Sequence, residues 1–161
     1  MLFNHTIVVE NSSQLKITNQ KEKIMNEMDV WNYMQTALST GATQGIVVAI
    51  FIGMGFWISG AMYNSTDKNI VGKITASVFV LTVGMFYLFN GAVVEWNLNQ
   101  VAAGLAYLKE TTEGISAGGQ ILIDANDPGA PFSLIPNVFS GLFLLSVLVM
   151  QLSGIWMTKK S

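Results

Sequence analysis

Few side chains in this sequence are equipped for chemistry. Histidine occurs once, as His5 in a polar tail, and cysteine and arginine are absent. One solvated imidazole without thiolates does not complete a zinc, copper or haem ligand set within a single chain. Without cysteine there is also no thiol nucleophile and no disulfide. Asp124, Asn126 and Asp127 form an oxygen-rich stretch, but it lacks the ligand spacing and distal glutamate of an EF-hand loop, and Asp-Pro-Gly reads as a turn. No glycine-rich phosphate loop and no pair of carboxylates in an apolar run is present. The expectation is a chain with no catalytic residue, no cofactor and no metal of its own.

The residue types that do form a pattern are small ones. Gly41, Gly45, Ala49 and Gly53 recur at four-residue steps, and Gly55 and Ser59 make a further pair at the same step. On a helix such residues let a second backbone approach closely. That is how helices associate in lipid, where hydrophobic burial supplies no force between them. Gly72, Ala76 and Gly84 are the candidate counterparts, and Gln151 is the best candidate for an interhelical hydrogen bond. The other polar residues of these segments, Ser59, Thr75, Ser77, Thr82, Asn90, Asn137, Ser140, Ser146 and Ser153, can be satisfied by helix backbone.

The elements that carry these residues are set by composition. Apolar residues make up 51% of the chain and charged residues only 11%, against about 25% charged in a soluble domain. An ionised group costs about 2.5–3.5 kcal/mol at the centre of a membrane helix, so long gaps in charge mark spans. Three gaps predict spans over about 43–63, 74–94 and 134–157. Each is about 20 residues long, enough at 1.5 Å per residue for a hydrocarbon core of about 30 Å. The remaining chain has too little polar surface to cover three buried helices of a soluble protein. No Asp, Glu, Lys, Arg or His falls inside a span, which argues against a proton relay or ion-coupled transporter acting alone.

The expected fold class is therefore an all-α integral membrane protein with three transmembrane helices. An N-terminal polar tail with an amphipathic lead-in helix covers 1–40, with Ile24, Met28, Trp31, Met34 and Leu38 on one face. The membrane domain covers 41–158, with an outer loop over 95–133 that holds a short helix from Leu98 to Leu108 and glycine-rich loops after it. A basic C-terminus covers 159–161. Met25 or Met28 is a candidate start, and Ser59-Gly60-Ala61 resembles a signal cleavage site. Lys68 and Lys73 in the first linker and Lys159 and Lys160 at the C-terminus fall on one side of a three-span chain. The 95–133 loop carries Lys109 against Glu95, Glu110, Glu113, Asp124 and Asp127. The positive-inside rule then puts the C-terminus in the cytoplasm and the acidic loop outside. Trp31, Tyr33, Tyr87, Trp96 and Phe132 at outer ends, with Tyr63 and Trp156 at inner ends, fit aromatic belts. With no arginine and a net charge of −2, nucleic acid is not an expected partner.

The stretch from Gly53 to Gly84 resembles the small inner-membrane proteins of conjugative and Dot/Icm-type (type IV) secretion systems, and more distantly conjugative pilins. The matching pieces are Gly53-Met54, Ile58-Ser59-Gly60-Ala61-Met62, the polar turn from Asn64 to Lys73 and the returning span. The long outer loop and a third span containing Leu152-Ser153-Gly154 depart from the two-span pilin pattern and favour a scaffold-like component. The resemblance implies a non-enzymatic subunit of a bacterial inner-membrane assembly, with membrane lipids and other membrane subunits, or copies of itself, as partners. An accessory subunit of a respiratory or oxygenase complex and a homo-oligomeric, holin-like pore are the alternatives that the residues allow.

Overall fold

The computed structural model of the protein describes residues 26–66, 69–135 and 137–157. The tail residues up to 25, including His5, Ile24 and the candidate start Met25, the linker residues 67 and 68, and the basic C-terminus lie outside the described residues. Among these residues four helices follow one another: α1 (Glu27–Asn64), α2 (Ile70–Thr111), α3 (Ala117–Ala125) and α4 (Val138–Trp156). Among the described residues there is no strand. Each helix starts on a side chain that accepts a backbone N–H of its first turn: Asn26 from Asp29, Asn69 from Val71, Ser116 from Gly119 and Asn137 from Ser140. These caps answer donors that a helix start leaves without partners.

Three helices, α1, α2 and α4, are long and apolar enough to cross a membrane. The 19 residues of α4 match the bilayer core, whereas the 38 of α1 and the 42 of α2 extend to about 57 and about 63 Å. Both therefore continue well beyond the lipid. Here the structure departs from expectation. The lead-in helix and the first span are one helix, and so are the second span and the short helix expected over Leu98–Leu108. No glycine or proline interrupts Val94-Glu95-Trp96-Asn97-Leu98, so the backbone ladder has no reason to stop where the side chains change from lipid-facing to polar. The stretch containing Gly118 and Gly119, expected as loop, forms α3. Asp127-Pro128-Gly129 does turn: Gly129 takes φ +77° and the Ala130 N–H bonds to the Asp127 carbonyl at 3.1 Å, a type II turn with proline and glycine at its central positions.

The short segment between Asn64 and Ile70 returns the chain, so α1 and α2 lie antiparallel, and α4 packs against both. Within the apolar windows of α1, α2 and α4 only 17%, 28% and 22% of residues are buried inside the chain. Most of the rest are exposed, which suits lipid and leaves ample surface for neighbours. One small core at the level of the turn joins Ala76, Val80 and Ile155 with Ile58, Met62 and Leu152.

At the opposite end the projecting parts of α1 and α2 meet α3 in a second core. Val30, Val101, Leu105 and Leu108 are buried there, with Met34, Ile115, Leu122 and Ile123 against them. This head stands in water, where apolar burial is itself the driving force. A polar clasp closes it. Both Glu27 carboxylate oxygens accept from Ser116, one from its backbone N–H at 2.9 Å and the other from its hydroxyl, and Trp31 Nε1–H donates to Glu27 at 3.1 Å.

Those hydrogen bonds, that of the Ser116 hydroxyl foremost, hold the Glu27 carboxyl below its ordinary value of 4.5. A carboxylate with a lowered folded-state pKa contributes stability that is present above its unfolded value and lost as pH falls through the folded one. The clasp is therefore expected to be intact at neutral pH, to weaken as pH falls below 4.5 and to open as pH passes through the lowered value of the folded chain. Amide protection in α3, taken relative to the intrinsic exchange rate at each pH, should fall over that window in the native chain. In Glu27→Gln, exchange in α3 should be faster already at neutral pH and should lose this acid dependence.

Candidate functional site

The residues singled out by spacing fall on two helix seams and one outward face. Gly41 and Gly45 line the seam between α1 and α2. A Cβ on Gly41 would stand 2.5 Å from Cγ2 of Val94, and one on Gly45 would stand 3.6 Å from Nδ2 of Asn90. The same Asn90 amide donates to the Gly41 carbonyl at 3.4 Å. Towards the turn, Gly72 faces Met62 and Ala76 is buried. Ala49 and Gly53 do not join this seam. Both are exposed, and a Cβ on Gly53 would meet nothing within 4 Å.

The second seam joins α1 to α4 and is the tighter one. A Cβ on Gly55 would stand 2.5 Å from the Nε2 of Gln151, and one on Gly154 would collide with the Ser59 hydroxyl and lie 3.1 Å from the Ser59 carbonyl oxygen. Two hydrogen bonds cross here. Ser59 Oγ–H donates to the Gln151 backbone carbonyl at 2.7 Å, and Gln151 Nε2–H donates to the Ile52 carbonyl at 2.9 Å. Gln151 is 1% exposed and Ser59 5%, so neither polar group meets lipid, where an unsatisfied one is costly. Interhelical hydrogen bonds of this sort average about 0.6 kcal/mol in membranes. They fix register more than they supply stability. Gly84 also faces α4, with a Cβ there 2.9 Å from Leu144 Cδ1, rather than the first span.

Where α2 begins and α4 ends, Trp156 Nε1–H donates to Ser77 Oγ at 2.9 Å, and the Lys73 ammonium stands 5.3 Å from the centre of the Trp156 ring. This cation–π contact marks an interfacial level.

Some residues that matter here were not singled out by spacing. Gly154 follows Gln151 by three residues and presents the same helix face, which was a readable signal. Asn99 carried none. It is 7% exposed, and its side-chain oxygen accepts the Asp127 N–H at 3.1 Å while its carbonyl accepts the Gly129 N–H at 3.2 Å, so it pins the Asp-Pro-Gly turn to α2. In the oxygen-rich stretch two of the three side chains are committed locally: Asp124 accepts from Gln120 at 2.7 Å and Asn126 donates to the Leu122 carbonyl. Among the described residues no three His, Cys, Asp or Glu gather as a metal site.

Chemically this arrangement joins helices and presents a rigid, mostly acidic head. No protein-family model, no curated protein and no solved structure matches the chain.

Proposed function

We propose that this chain is a non-enzymatic structural subunit of a multiprotein membrane assembly, of the kind found in conjugation and type IV secretion. It sits in a bacterial inner membrane with the acidic head outside and the C-terminus in the cytoplasm. The observation that carries the reading is the face of α1 that nothing among the described residues covers. Gly53 and Gly60 both open onto free space there, beside Trp57, which is 74% exposed. Two glycines on a lipid-exposed face cost helix propensity, about 1 kcal/mol each relative to alanine, and give nothing to the fold of a lone chain. They suit a neighbouring transmembrane helix that approaches closely. The orientation rests on Lys73 and the other lysines of the turn side, against Glu95, Glu110, Glu113, Asp124 and Asp127 on the head side.

The test is purification from native membranes in mild detergent, comparing the wild type with Gly53→Leu/Gly60→Leu. The native chain is expected in a large complex with identifiable subunits or further copies, and the double variant is expected as a folded, released chain. A native chain that runs as a monomer without partners would overturn the reading, as would a double variant that stays assembled.

A further inference from the structure

Asn90 lines three cavities, two of which also share Gly91 and Ser140, and its Oδ1 is the one buried side-chain oxygen or nitrogen among the described residues that lacks a hydrogen-bond partner. Below it, between α1, α2 and α4, lies a slot of about 230 Å³ walled largely by Val48, Ala49, Ile52, Leu88 and Phe143. Above it, against the head, opens a cleft of about 1010 Å³ whose lining includes Glu95, Asn99, Asp127 and Asn137. Asn90, Gly91 and Ser140 line both, so the slot and the cleft adjoin there, the slot largely apolar and the cleft more polar. The lining of the mouth carries two carboxylates and no lysine.

We infer that this space is a lipid site for an ammonium-headed phospholipid: one acyl chain enters the slot between the three helices, and the ammonium lies among Glu95, Asp127 and Asn90. Each part of the space asks for that chemistry. The slot is bounded by aliphatic and aromatic side chains, with Tyr87 and Phe143 rings 5.3 Å apart at one wall, and it opens at the level where lipid chains are the solvent. A buried amide oxygen without a donor costs about 1–3 kcal/mol, and a turn of the Asn90 side chain toward the cleft would let the N–H groups of an ammonium answer it. Two carboxylates in a partly enclosed cleft favour a cation and disfavour an anionic head. This site stands apart from the assembly reading, because its lining includes none of Gly53, Trp57 and Gly60.

The test is native mass spectrometry of the purified full chain reconstituted in nanodiscs of phosphatidylethanolamine mixed equally with phosphatidylglycerol. The wild type is expected to retain one phosphatidylethanolamine at about tenfold preference, equivalent to about 1.4 kcal/mol. Glu95→Gln/Asp127→Asn, which keeps side-chain shape, should bring that preference to unity. Ala49→Leu, which fills the slot from an exposed position, should abolish retention of either lipid while the helical melting profile stays native. Equal retention of both lipids by the wild type overturns the proposal. So does a preference that survives loss of both carboxylates, or undiminished retention by Ala49→Leu.

Discussion

Gly154→Leu is expected to destabilise the protein in detergent by about 2–3 kcal/mol, while Gly53→Leu, the same change on α1, is expected to leave stability unchanged or raise it by up to about 1 kcal/mol. The difference comes from what each side chain meets. At Gly154 the first added carbon already collides with the Ser59 hydroxyl and stands 3.1 Å from the Ser59 carbonyl oxygen. That oxygen belongs to helix backbone and cannot swing away, so α4 must move off α1. Overpacking of this kind costs about 1–3 kcal/mol. The displacement also breaks the Ser59-to-Gln151 and Gln151-to-Ile52 hydrogen bonds, which together add about 1 kcal/mol. Helix propensity opposes the loss, since leucine is the better helix former by somewhat under 1 kcal/mol, and it does not outweigh the clash. Unfolding followed by circular dichroism in mild detergent reads both variants. Equal stability of the two would mean that α1 and α4 do not cross at Ser59 and Gly154.

The contrast between Gly154 and Gly53 also shows what spacing can and cannot reveal. Span centres were legible, because an ionised group is so costly in hydrocarbon that its absence over about 20 residues leaves few alternatives. The partner of each small residue was not. Four-residue steps advance about 40° beyond a full turn, so Gly41 and Gly53 point about 120° apart on α1. They cannot face one neighbour, and the structure accordingly gives Gly41 and Gly45 to α2 and leaves Gly53 open. Gly55 and Ser59 lie on yet another face, against α4. A four-residue series is a stripe only over two turns or so, and longer ones must be divided between partners.

Helix ends were misread for a related reason. Glu95 and Trp96 do mark the edge of the apolar run, but a change of solvent does not terminate a helix, and only capping or chain-breaking residues do. The cap residues Asn26, Asn69, Ser116 and Asn137 were all in view in the sequence, and each lies at a helix start. At α3 the glycines suggested a loop. Gly119 nevertheless lies in α3, where a Cβ would stand 3.0 Å from a Glu27 oxygen and 3.2 Å from Ile115. Its smallness serves the clasp to α1, a contact across 92 residues that no local pattern displays.

That head gives the second large effect: Leu105→Ala is expected to cost about 2–5 kcal/mol, confined to one end of the molecule. Leu105 is fully buried at the centre of the cluster formed by Val30, Val101 and Leu108. Truncation removes its transfer free energy and leaves a void that three converging helices cannot close. The head and the bilayer segment are cohesive for different reasons, apolar burial from water in one and close van der Waals contact with internal hydrogen bonds in the other. Loss at Leu105 should therefore open the head without unseating the spans. Amide exchange is expected to rise through α3 and through the projecting parts of α1 and α2, while the segments around Ser59 and Gln151 keep their protection. The long helices make this a demanding test, since α1 and α2 run unbroken from one region into the other. Uniform loss of protection along both would show that the head and the spans unfold as a single unit. Loss restricted to the head would show that a continuous helix can carry two separately stabilised regions, with the break set by its surroundings and not by its backbone.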